Sequence, residues 1–488
     1  MGALLLATLL FGSSSSTNIP AGQRPHSVFD VRTFGAKGDG RSDDTAAVAA
    51  ALAAAAAASA AGSAVTVRLA GPKSVYLVDR PLIFNASNAL LHIEAGAVLR
   101  WHWPKDLSFT SRWAQGGGHS ATMLTVEPTP GSPPLTNVSI GGGGMLDGQG
   151  FMWWPFRYHV TEYIHAQKYP PFFLEFTNIK GLQVANITIL DPPMITLQTC
   201  ACWHVDLHHL NISASWLTPA EFYSPAHSPT FAQWRAVAPV TAAGTGQNGT
   251  CGSPGMRGGR VWADRPDDPR CEPANTDGID PGCGSKDVHI HDIFIENGDD
   301  SIVMKQGWPK ANQVPPEGCT RDVLVERVVI YRGMGANIGG MGNGCVDNIT
   351  FKDIVLDHPS LMGAQIKTEN GKDNRSFVSN VLYQNVSFRN SLNASGYPCL
   401  SITADYTGDG HGYAGKSFPK ISNVSYRDID LRGCSTPITL KCSDKQPCEG
   451  ISLDSVRTAE AVVCENVDCT AVNVTAGMAK CCGQQPLR

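Results

Sequence analysis

The chain has 488 residues, enough for a large core, with a formal net charge of −5 and a charged content of only 17%. This balance provides no basic surface and argues against a nucleic-acid partner. Glycine, with 50 residues, and proline, with 32, are both frequent. Sparse charge, frequent turn residues and short β-branched runs favour an all-β or solenoid protein over a helical bundle.

Segment 1–20 resembles a secretory signal peptide, because the mostly apolar run 1–11 is followed by small polar residues. This run is too short to cross a bilayer, and no later stretch is long enough, so no membrane partner is expected. All 15 cysteines occur from Cys200 onward, and their density is typical of an oxidising compartment. Sequons for N-glycosylation further support secretion to the cell exterior or cell wall. They are Asn85, Asn137, Asn186, Asn211, Asn248, Asn348, Asn374, Asn385, Asn393, Asn423 and Asn473.

The N-terminal part combines one helix with short strands. The alanine-rich run Thr45–Ala61 follows the capping residues of segment 42–44 and predicts a helix that covers the end of a sheet stack. Short strands are expected at Phe29–Val31, Val65–Leu69, Val75–Leu77, Leu82–Phe84 and Leu90–Ile93. An aromatic cluster follows at Phe151, Trp153, Trp154 and Phe156. It fits core packing better than a platform for sugars.

From residue 182 onward a short block recurs, with apolar residues at its positions 1, 3, 6 and 8. The alternation predicts strands, and the phase change after position 3 predicts a bend between two of them. Such a unit cannot bury its apolar face alone, so neighbouring units must stack. The fold class predicted is an all-β, single-stranded, right-handed parallel β-helix with a short N-terminal capping helix. The blocks begin at Leu182, Val205, Val288, Val323, Ile349, Val381, Val424 and Ile451.

The β-helix domain is expected to span residues 27–470, followed by a tail at 471–488. Residues 218–272 are rich in proline, glycine and alanine and interrupt the repeat, so they predict a long surface loop. A bridge between Cys251 and Cys271 would close this loop.

Two acidic motifs lie about one repeat apart. Asp277 belongs to the segment Asn-Thr-Asp-Gly-Ile-Asp at 275–280, and Asp300 ends Gly-Asp-Asp at 298–300, 23 residues later. One turn of the coil would bring the carboxylates side by side. Clustered carboxylates serve glycosidic cleavage, in which an acid protonates the leaving oxygen and a base activates water.

These motifs resemble glycoside hydrolase family 28, the polygalacturonase-like enzymes, over roughly 29–459. Segments 34–45 and 404–406 also resemble family motifs, and Cys442 with Cys448 resembles a small C-terminal disulfide loop. Two positions depart from the family. Met334 stands where the family has histidine, and Gln365 stands where it has the arginine of an Arg-Ile-Lys segment. These departures resemble rhamnogalacturonan-acting and other divergent members.

The resemblance implies an inverting hydrolase with Asp299 as general acid and Asp277 with Asp300 as bases. Inversion requires about 6.5–9.5 Å between acid and base. Adjacent strand residues point to opposite faces, so Asp299 and Asp300 must lie at a bend. Lys367 would bind a substrate carboxylate as a point charge. The remaining substrate-binding candidates are Asn275, Asp280, Gln365 and Tyr406.

Some of these roles have equal alternatives. Asp280 fits a structural turn, and Tyr406 fits the core, as well as either fits a sugar contact. Neither a metal nor another cofactor is expected to be needed, since Cys464 and Cys469 fit disulfide bridges better than zinc. The predicted partner is an acidic pectic polysaccharide, and the chain is expected to be a monomer.

Three functions compete on these residues. The first is hydrolysis of pectic polysaccharide, with rhamnogalacturonan or another acidic polysaccharide as the alternative substrate. The second is calcium-dependent β-elimination on the same fold, which the clustered aspartates and the missing arginine disfavour. The third is a non-catalytic glycan-binding β-helix, which the residues at 334 and 365 motivate.

Overall fold

A computed structural model of the chain describes residues 26–102, 122–154, 170–217, 273, 275–307, 317–358, 363–371, 375–390, 398–404, 406, 417–434, 438–458, 462–472, 474 and 482–484. The predicted signal peptide, the 218–272 loop and the Cys251–Cys271 bridge lie outside these residues. Among the described residues, no helix is long and apolar enough to cross a membrane.

The described elements are mostly short and medium-length strands. The helices are α1 (Thr45–Ala60) and two 3₁₀ turns, Val31–Phe34 and Gly150–Met152. The strands of the first half are β1 (His26–Asp30), β2 (Asp39–Asp43), β3 (Ala64–Leu69), β4 (Val75–Val78), β5 (Leu82–Ile83), β6 (Ala89–Ile93), β7 (Val98–Trp101), β8 (Leu124–Val126), β9 (Leu135–Gly141), β10 (Met145–Asp147), β11 (Leu174–Thr177), β12 (Ile179–Leu190), β13 (Leu197–Cys200) and β14 (Trp203–Ser213). The strands of the second half are β15 (Ile279–Gly282), β16 (Lys286–Glu296), β17 (Ile302–Met304), β18 (Thr320–Tyr331), β19 (Ala336–Met341), β20 (Cys345–Asp357), β21 (Ala364–Thr368), β22 (Phe377–Arg389), β23 (Leu400–Thr403), β24 (Lys420–Asp430), β25 (Ile438–Lys441), β26 (Cys448–Arg457), β27 (Val462–Glu465), β28 (Val467–Val472) and β29 (Gly483–Gln484).

The strands form two parallel sheets that wind into a right-handed β-helix, as the repeat predicts. The long strands pair in the order β12, β14, β16, β18, β20, β22, β24, β26 and β28. The short strands form a second sheet in the order β5, β8, β11, β13, β15, β17, β19, β21, β23, β25 and β27. Each coil therefore contributes one long strand and one short strand. Their apolar side chains point inward and form a single continuous core.

The register confirms the eight-block repeat. Position 1 of each block pairs with position 1 of the next, as in Leu182 with Val205 and Val205 with Val288. The same alignment continues to Ile451. Aromatic side chains stack in the same way, with ring centroids of Phe351 and Tyr383 4.6 Å apart. Equivalent positions of successive coils thus pack directly on one another.

The bend between the two halves of each block differs from the prediction. The halves form one continuous strand, and a single residue with positive φ at position 5 switches which side chains point inward. One left-handed residue reverses the strand's two-residue alternation without breaking the ladder, which is why no separate turn is needed. The residues at this position are Asn186, His209, Asp292, Arg327, Asp353, Asn385, Asp428 and Ser455, with φ between 52° and 57°.

The same backbone geometry explains several sequons. Asn186, Asn348, Asn385 and Asn423 all have positive φ and exposed side chains. Asparagine tolerates the left-handed region better than most residues, so these strand positions themselves favour asparagine. Their outward orientation is the one predicted from the repeat.

Helix α1 covers the N-terminal end of the stack, as predicted, and it ends one residue earlier than expected. Its buried residues include Val48, Ala51 and Leu52. The Asp43 carboxylate accepts a hydrogen bond from the Thr45 backbone N–H at 2.9 Å and so helps to cap the helix. Of the aromatic cluster, Trp153 and Trp154 are buried, which supports core packing.

Disulfides hold several coils together. The described bridges are Cys200–Cys283, Cys319–Cys345, Cys399–Cys434, Cys442–Cys448 and Cys469–Cys482. Cys442–Cys448 is the loop that the family resemblance implied. Cys464 is also in a disulfide, so it and Cys469 belong to separate bridges. Strand β29, within the predicted tail, pairs with β28 and extends the stack.

A cavity in the apolar ladder should be costly. Ile290 is fully buried between Leu207 and Val325, its partners in the neighbouring coils. We expect Ile290→Ala to lower the free energy of unfolding by about 2–5 kcal/mol. Urea denaturation measures this change. Phe294→Ala is the matched control, because Phe294 lies on the same strand with 38% of its surface exposed. Similar losses in both variants would contradict a core role for the ladder.

Candidate active site

The three predicted carboxylates converge beside the second sheet. Asp277 lies just before β15, and Asp299 and Asp300 lie just before β17, the next strand in that sheet. Residues 298–299 form the predicted bend. As a result, one oxygen of each carboxylate lies within 4.8 Å of the others. Asp277 and Asp300 are buried, whereas Asp299 is partly exposed.

Two glycines allow the coils to approach this closely. A Cβ atom on Gly278 would lie 2.2 Å from the Ser301 carbonyl oxygen, and one on Gly298 would lie 2.2 Å from the Pro273 carbonyl oxygen. Any larger residue would push these backbones apart. The buried Asn297 side chain then fixes the bend, since its amide donates to the carbonyl oxygens of Thr276, Asp299 and Asp300.

The carboxylates lie closer together than the 6.5–9.5 Å expected between the acid and base of an inverting hydrolase. The expected range describes the separation of the two carboxyl groups, whereas the observed distance joins only their nearest oxygens, so inversion stays a prediction. The distance by itself therefore does not select inversion. Two oxygens at most 4.8 Å apart can still share one water, because each hydrogen bond spans about 2.8 Å.

Lys367 binds an aspartate of the cluster rather than projecting as a free charge toward substrate. Its Nζ lies 2.8 Å from Asp300 Oδ2, and the side chains of the pair are 5% and 3% exposed. The other Asp300 oxygen accepts a hydrogen bond from the buried amide of Asn337. Both oxygens of Asp300 are thus held by donors from the next two coils.

Lys305 is a member of the site that the sequence interpretation missed. Its Nζ lies 3.1 Å from Asp277 Oδ2 and 3.6 Å from Asp280 Oδ2. A signal was available, since Lys305 comes 17 residues after Val288 and Lys367 comes 18 after Ile349, each the first residue of its block. The strand register pairs Lys367 with Gly339, and Lys305 directly follows Met304, which pairs with Ile338 in the same neighbouring strand.

Gly339 separates the two lysines. It has φ +112°, and a Cβ atom there would lie 1.9 Å from the Lys367 carbonyl oxygen. The register of β19 with β21 shifts only beyond this pair, between Gly339 and Met341, so it is not the local insertion that was expected to align Lys367.

The other predicted residues lie around this centre. Asn275 donates from its side-chain amide to Asp299 Oδ2 at 3.1 Å. Asp280 is fully buried, and neither carboxylate oxygen has a hydrogen-bond partner among the described residues. Gln365 is buried in β21, and its Oε1 likewise lacks a described partner. The Tyr406 ring centroid lies 5.2 Å from Lys367 Nζ.

Met334 supports the cluster through its backbone. Its N–H donates to the Asp299 carbonyl oxygen at 2.8 Å, and its own carbonyl oxygen accepts from Asn337 at 2.8 Å. The side chain is buried. A residue other than histidine at this position therefore keeps the backbone contacts that order the aspartates.

The electrostatic environment gives the aspartates different proton affinities. Burial, reinforced by the Asp277 and Asp300 carboxylates, holds the pKa of Asp299 well above its ordinary value. Burial would also raise the pKa of Asp300, but the ammonium groups of Lys367 and Lys305 outweigh it and hold that pKa below its ordinary value. Neighbouring carboxyl groups are thus driven toward opposite protonation states.

The pKa values of Asp277 and Asp280 are raised as well. Burial raises the pKa of Asp277 while the Lys305 ammonium group opposes the change, and burial holds the pKa of Asp280 well above its ordinary value. Asp280, Asp277 and Asp300 in turn hold the pKa of Lys305 well above its usual range despite its burial.

A parallel β-helix with a cluster of carboxylates driven to different protonation states defines the class of β-helical glycoside hydrolases. Residues 131–219 and 257–482, more than half of the chain, match the family described as "Glycosyl hydrolases family 28". The protein belongs to glycosyl hydrolases family 28, and it is a glycoside hydrolase.

Relatives and solved structures agree with this assignment. Polygalacturonase QRT2 of Arabidopsis thaliana is 23% identical over 444 residues, covering 88% of this chain and 78% of that protein. A probable polygalacturonase of Vitis vinifera is 24% identical over 463 residues, covering 92% of this chain and 78% of that protein. An exopolygalacturonase from Thermotoga maritima superposes with a TM-score of 0.59 at 18% identity, covering 93% of this chain and 92% of that one. An endo-xylogalacturonan hydrolase from Aspergillus tubingensis superposes with a TM-score of 0.59 at 17% identity, covering 94% of this chain and 99% of that one. At these identities the structural matches show the fold alone.

The buried Lys367–Asp300 pair should contribute strongly to stability. Lys367→Met leaves the Asp300 charge without its nearest cation, so we expect the free energy of unfolding at pH 7 to fall by about 3–5 kcal/mol. Because the pKa of Asp300 is lowered from 3.8, the stability it contributes is present above that value and lost as the pH falls. The deficit of the variant should therefore shrink below about pH 4. Urea denaturation at several pH values measures it.

Lys441→Met provides the control for this variant. Lys441 lies on β25 of the same sheet and pairs with Glu465 at 3.0 Å, but the two side chains are 44% and 53% exposed. We expect a change within about 1 kcal/mol. Equal losses for the two lysines, or a Lys367→Met deficit that does not vary with pH, would contradict the proposed charge balance.

Proposed function

We propose that this protein is a secreted, inverting hydrolase of pectic polysaccharide. The observation that carries the proposal is the pairing of Asp299, whose pKa is raised, with Asp300, whose pKa is lowered, on one bend. Hydrolysis of a glycosidic bond needs one carboxyl group that keeps its proton and one that has lost it. The relatives named polygalacturonases supply the substrate class.

Asp299 is the proposed general acid. Its raised pKa favours the protonated form that an acid needs, and its partial exposure lets it reach a glycosidic oxygen. The Asn275 amide at 3.1 Å and the Asp300 backbone N–H at 2.8 Å orient its two oxygens. Asn275 is therefore a positioning residue for the acid.

Asp300 and Asp277 are the proposed bases. Lys367 and Lys305 hold the pKa of Asp300 below its ordinary value and so favour its anion. Burial raises the pKa of Asp277, and the Lys305 ammonium group opposes that rise. Their oxygens are close enough to share one water, which either carboxylate can deprotonate as it attacks the anomeric carbon. The proton that Asp299 gives to the leaving oxygen is replaced by the one taken from water, so the overall proton balance closes.

The lysines also favour hydrolysis over calcium-dependent elimination. A divalent cation among the three carboxylates would have to displace the ammonium groups that lie 2.8 Å from Asp300 and 3.1 Å from Asp277. Hydrolysis uses these same ion pairs to set the protonation of the aspartates. Elimination would give an unsaturated product that absorbs in the ultraviolet, and we expect none.

Two features of the site favour rhamnogalacturonan over polygalacturonan as the substrate. Lys367, predicted to bind a galacturonate carboxylate, is committed to Asp300, and Gln365 presents an uncharged amide. Both features weaken recognition of an acidic sugar at the cleavage point. A polymer that alternates neutral and acidic sugars would place fewer charges there.

Secretion is supported by two features besides the signal-like segment. The five disulfides between described cysteines are typical of an oxidising compartment. The sequons at Asn186, Asn348, Asn385 and Asn423 have exposed side chains on the outer face of the long strands, where a glycan can be accommodated.

A reducing-end assay on polygalacturonan, rhamnogalacturonan and a sulfated algal polysaccharide tests the proposal. We expect activity on a pectic member of the panel and a loss of at least about 10²-fold in Asp299→Asn, because the amide has no acidic proton to donate. Asp287→Asn is the matched control, since this exposed aspartate on β16 lies outside the cluster and should retain full activity. Full activity in Asp299→Asn would overturn the assignment of the acid. Binding of these polymers without turnover by the folded protein would instead indicate a glycan-binding β-helix.

The stereochemical outcome is a separate prediction. If water attacks directly, the first reducing ends must have the anomeric configuration opposite to that of the bond cleaved. Proton NMR of the products, recorded before mutarotation equilibrates the anomers, measures this configuration. Retention would mean that one of the close carboxylates attacks the sugar as a nucleophile.

A further inference from the structure

A second cluster of titratable side chains lies on the long-strand sheet, whereas the carboxylates of the candidate active site border the short-strand sheet. On β14 and β16, Asp206 pairs in register with His289, and His208 pairs with His291. The residues between them, such as Leu207 and Ile290, point into the core. The strand alternation therefore directs all four polar side chains to the same outer face. We call them the histidine cluster.

The donor atoms of this cluster are close together. One donor atom each from Asp206, His289 and His291 lies within 4.8 Å of the other two. His291 Nε2 is 3.1 Å from Asp206 Oδ1, and His208 Nε2 is 3.6 Å from Asp206 Oδ2. The ring of His291 lies between the other two, with centroids 4.0 Å from His289 and 5.0 Å from His208.

The contacts around His291 are those of a metal ligand with an outer support. Its Nδ1 lies 2.7 Å from Asp292 Oδ2, and Arg327 Nε donates to Asp292 Oδ1 at 2.8 Å. A metal ion on Nε2 would replace its hydrogen bond with Asp206 Oδ1, and a proton on Nδ1 would be donated to Asp292. Arg327 Nη2 lies 3.3 Å from the same Nδ1. A carboxylate behind a ligating histidine fixes the ring and its tautomer in this way in metal sites.

We propose that Asp206, His289 and His291 bind a divalent transition-metal ion, with His208 as a fourth ligand. Imidazole and carboxylate donors suit Zn²⁺, Ni²⁺ or Cu²⁺, whereas Mg²⁺ and Ca²⁺ prefer all-oxygen sites. Ligands about 2.0–2.1 Å from a tetrahedral Zn²⁺ lie roughly 3.3 Å apart, so the side chains must move inward by an ångström or so. Side-chain exposures of 16% for His291, 39% for His289 and 44% for Asp206 leave room for this rotation and for metal entry.

The proposed metal site lies where a bound ion would connect two coils of the β-helix. Strands β14 and β16 are neighbours in space, but the whole 218–272 loop separates them in sequence. Cys200–Cys283 links the same two coils. Strand β16 leads directly into the bend at Asp299. A metal ion that binds only the folded arrangement would tie the two coils together on their outer face and raise the thermal midpoint in proportion to the logarithm of its concentration.

Zn²⁺ binding by the full chain, without an affinity tag and after removal of bound metal by EDTA and dialysis, tests the proposal. Isothermal titration with ZnCl₂ should show one saturable site per chain, and the thermal midpoint should rise with ZnCl₂ but not with MgCl₂. His291→Ala and the near-isosteric Asp206→Asn should each weaken binding by at least about 10-fold. Circular dichroism of the metal-free variants checks that they are folded.

His204→Ala is the matched control. His204 lies on β14, the strand that carries Asp206. It is 61% exposed and paired with Asp287, outside the cluster. Its removal should leave Zn²⁺ affinity and stoichiometry unchanged. The proposal is overturned if the wild-type protein shows no saturable Zn²⁺ binding below millimolar concentration. It is equally overturned if His291→Ala and Asp206→Asn bind Zn²⁺ as tightly as the wild type.

Discussion

Stacking of equivalent side chains in successive coils is the constraint on which the rest of the molecule depends. A single coil has too little apolar surface to fold alone, so each must align its inward positions with those of the next coil. The ladder from Leu182 to Ile451 meets this requirement position by position. A left-handed residue in each long strand keeps the alignment while turning the strand, so neither half of the block loses its inward face.

The strand register that aligns the core also brings charged side chains of neighbouring coils together. It brings four aspartates and two lysines from coils that are distant in sequence into one buried group, in which each lysine contacts a different aspartate of the proposed base pair. Burial alone would protonate all four carboxyl groups. Because the ammonium groups of Lys367 and Lys305 outweigh burial at Asp300, its pKa is lowered, whereas the pKa values of Asp277, Asp280 and Asp299 are raised. On the outer face of the long-strand sheet, the same register stacks His208 on His291 and creates the histidine cluster.

The sequence alone singles out candidate site residues where they belong to short motifs. Asp277, Asp299 and Asp300 belong to two short motifs one repeat apart, and the structure brings them together. Lys305 and Asn337 were missed because neither belongs to a motif, and their roles arise only from alignment between coils. The ion pair of Lys367 with Asp300, at 2.8 Å, likewise follows only from that alignment.

The sequence by itself determined the fold class, the inward residues of the eight blocks and the helix at the N-terminal end. These features follow from local alternation and capping, which adjacent residues encode. Only the tertiary structure decided the distances between carboxylates, the pairing of lysines with aspartates and the protonation states that result. Those depend on atoms brought together from different coils, and a change of register by one residue would exchange the inward and outward faces. The energy of a buried charge depends on its neighbours in space, so it could be read only after the coils were stacked.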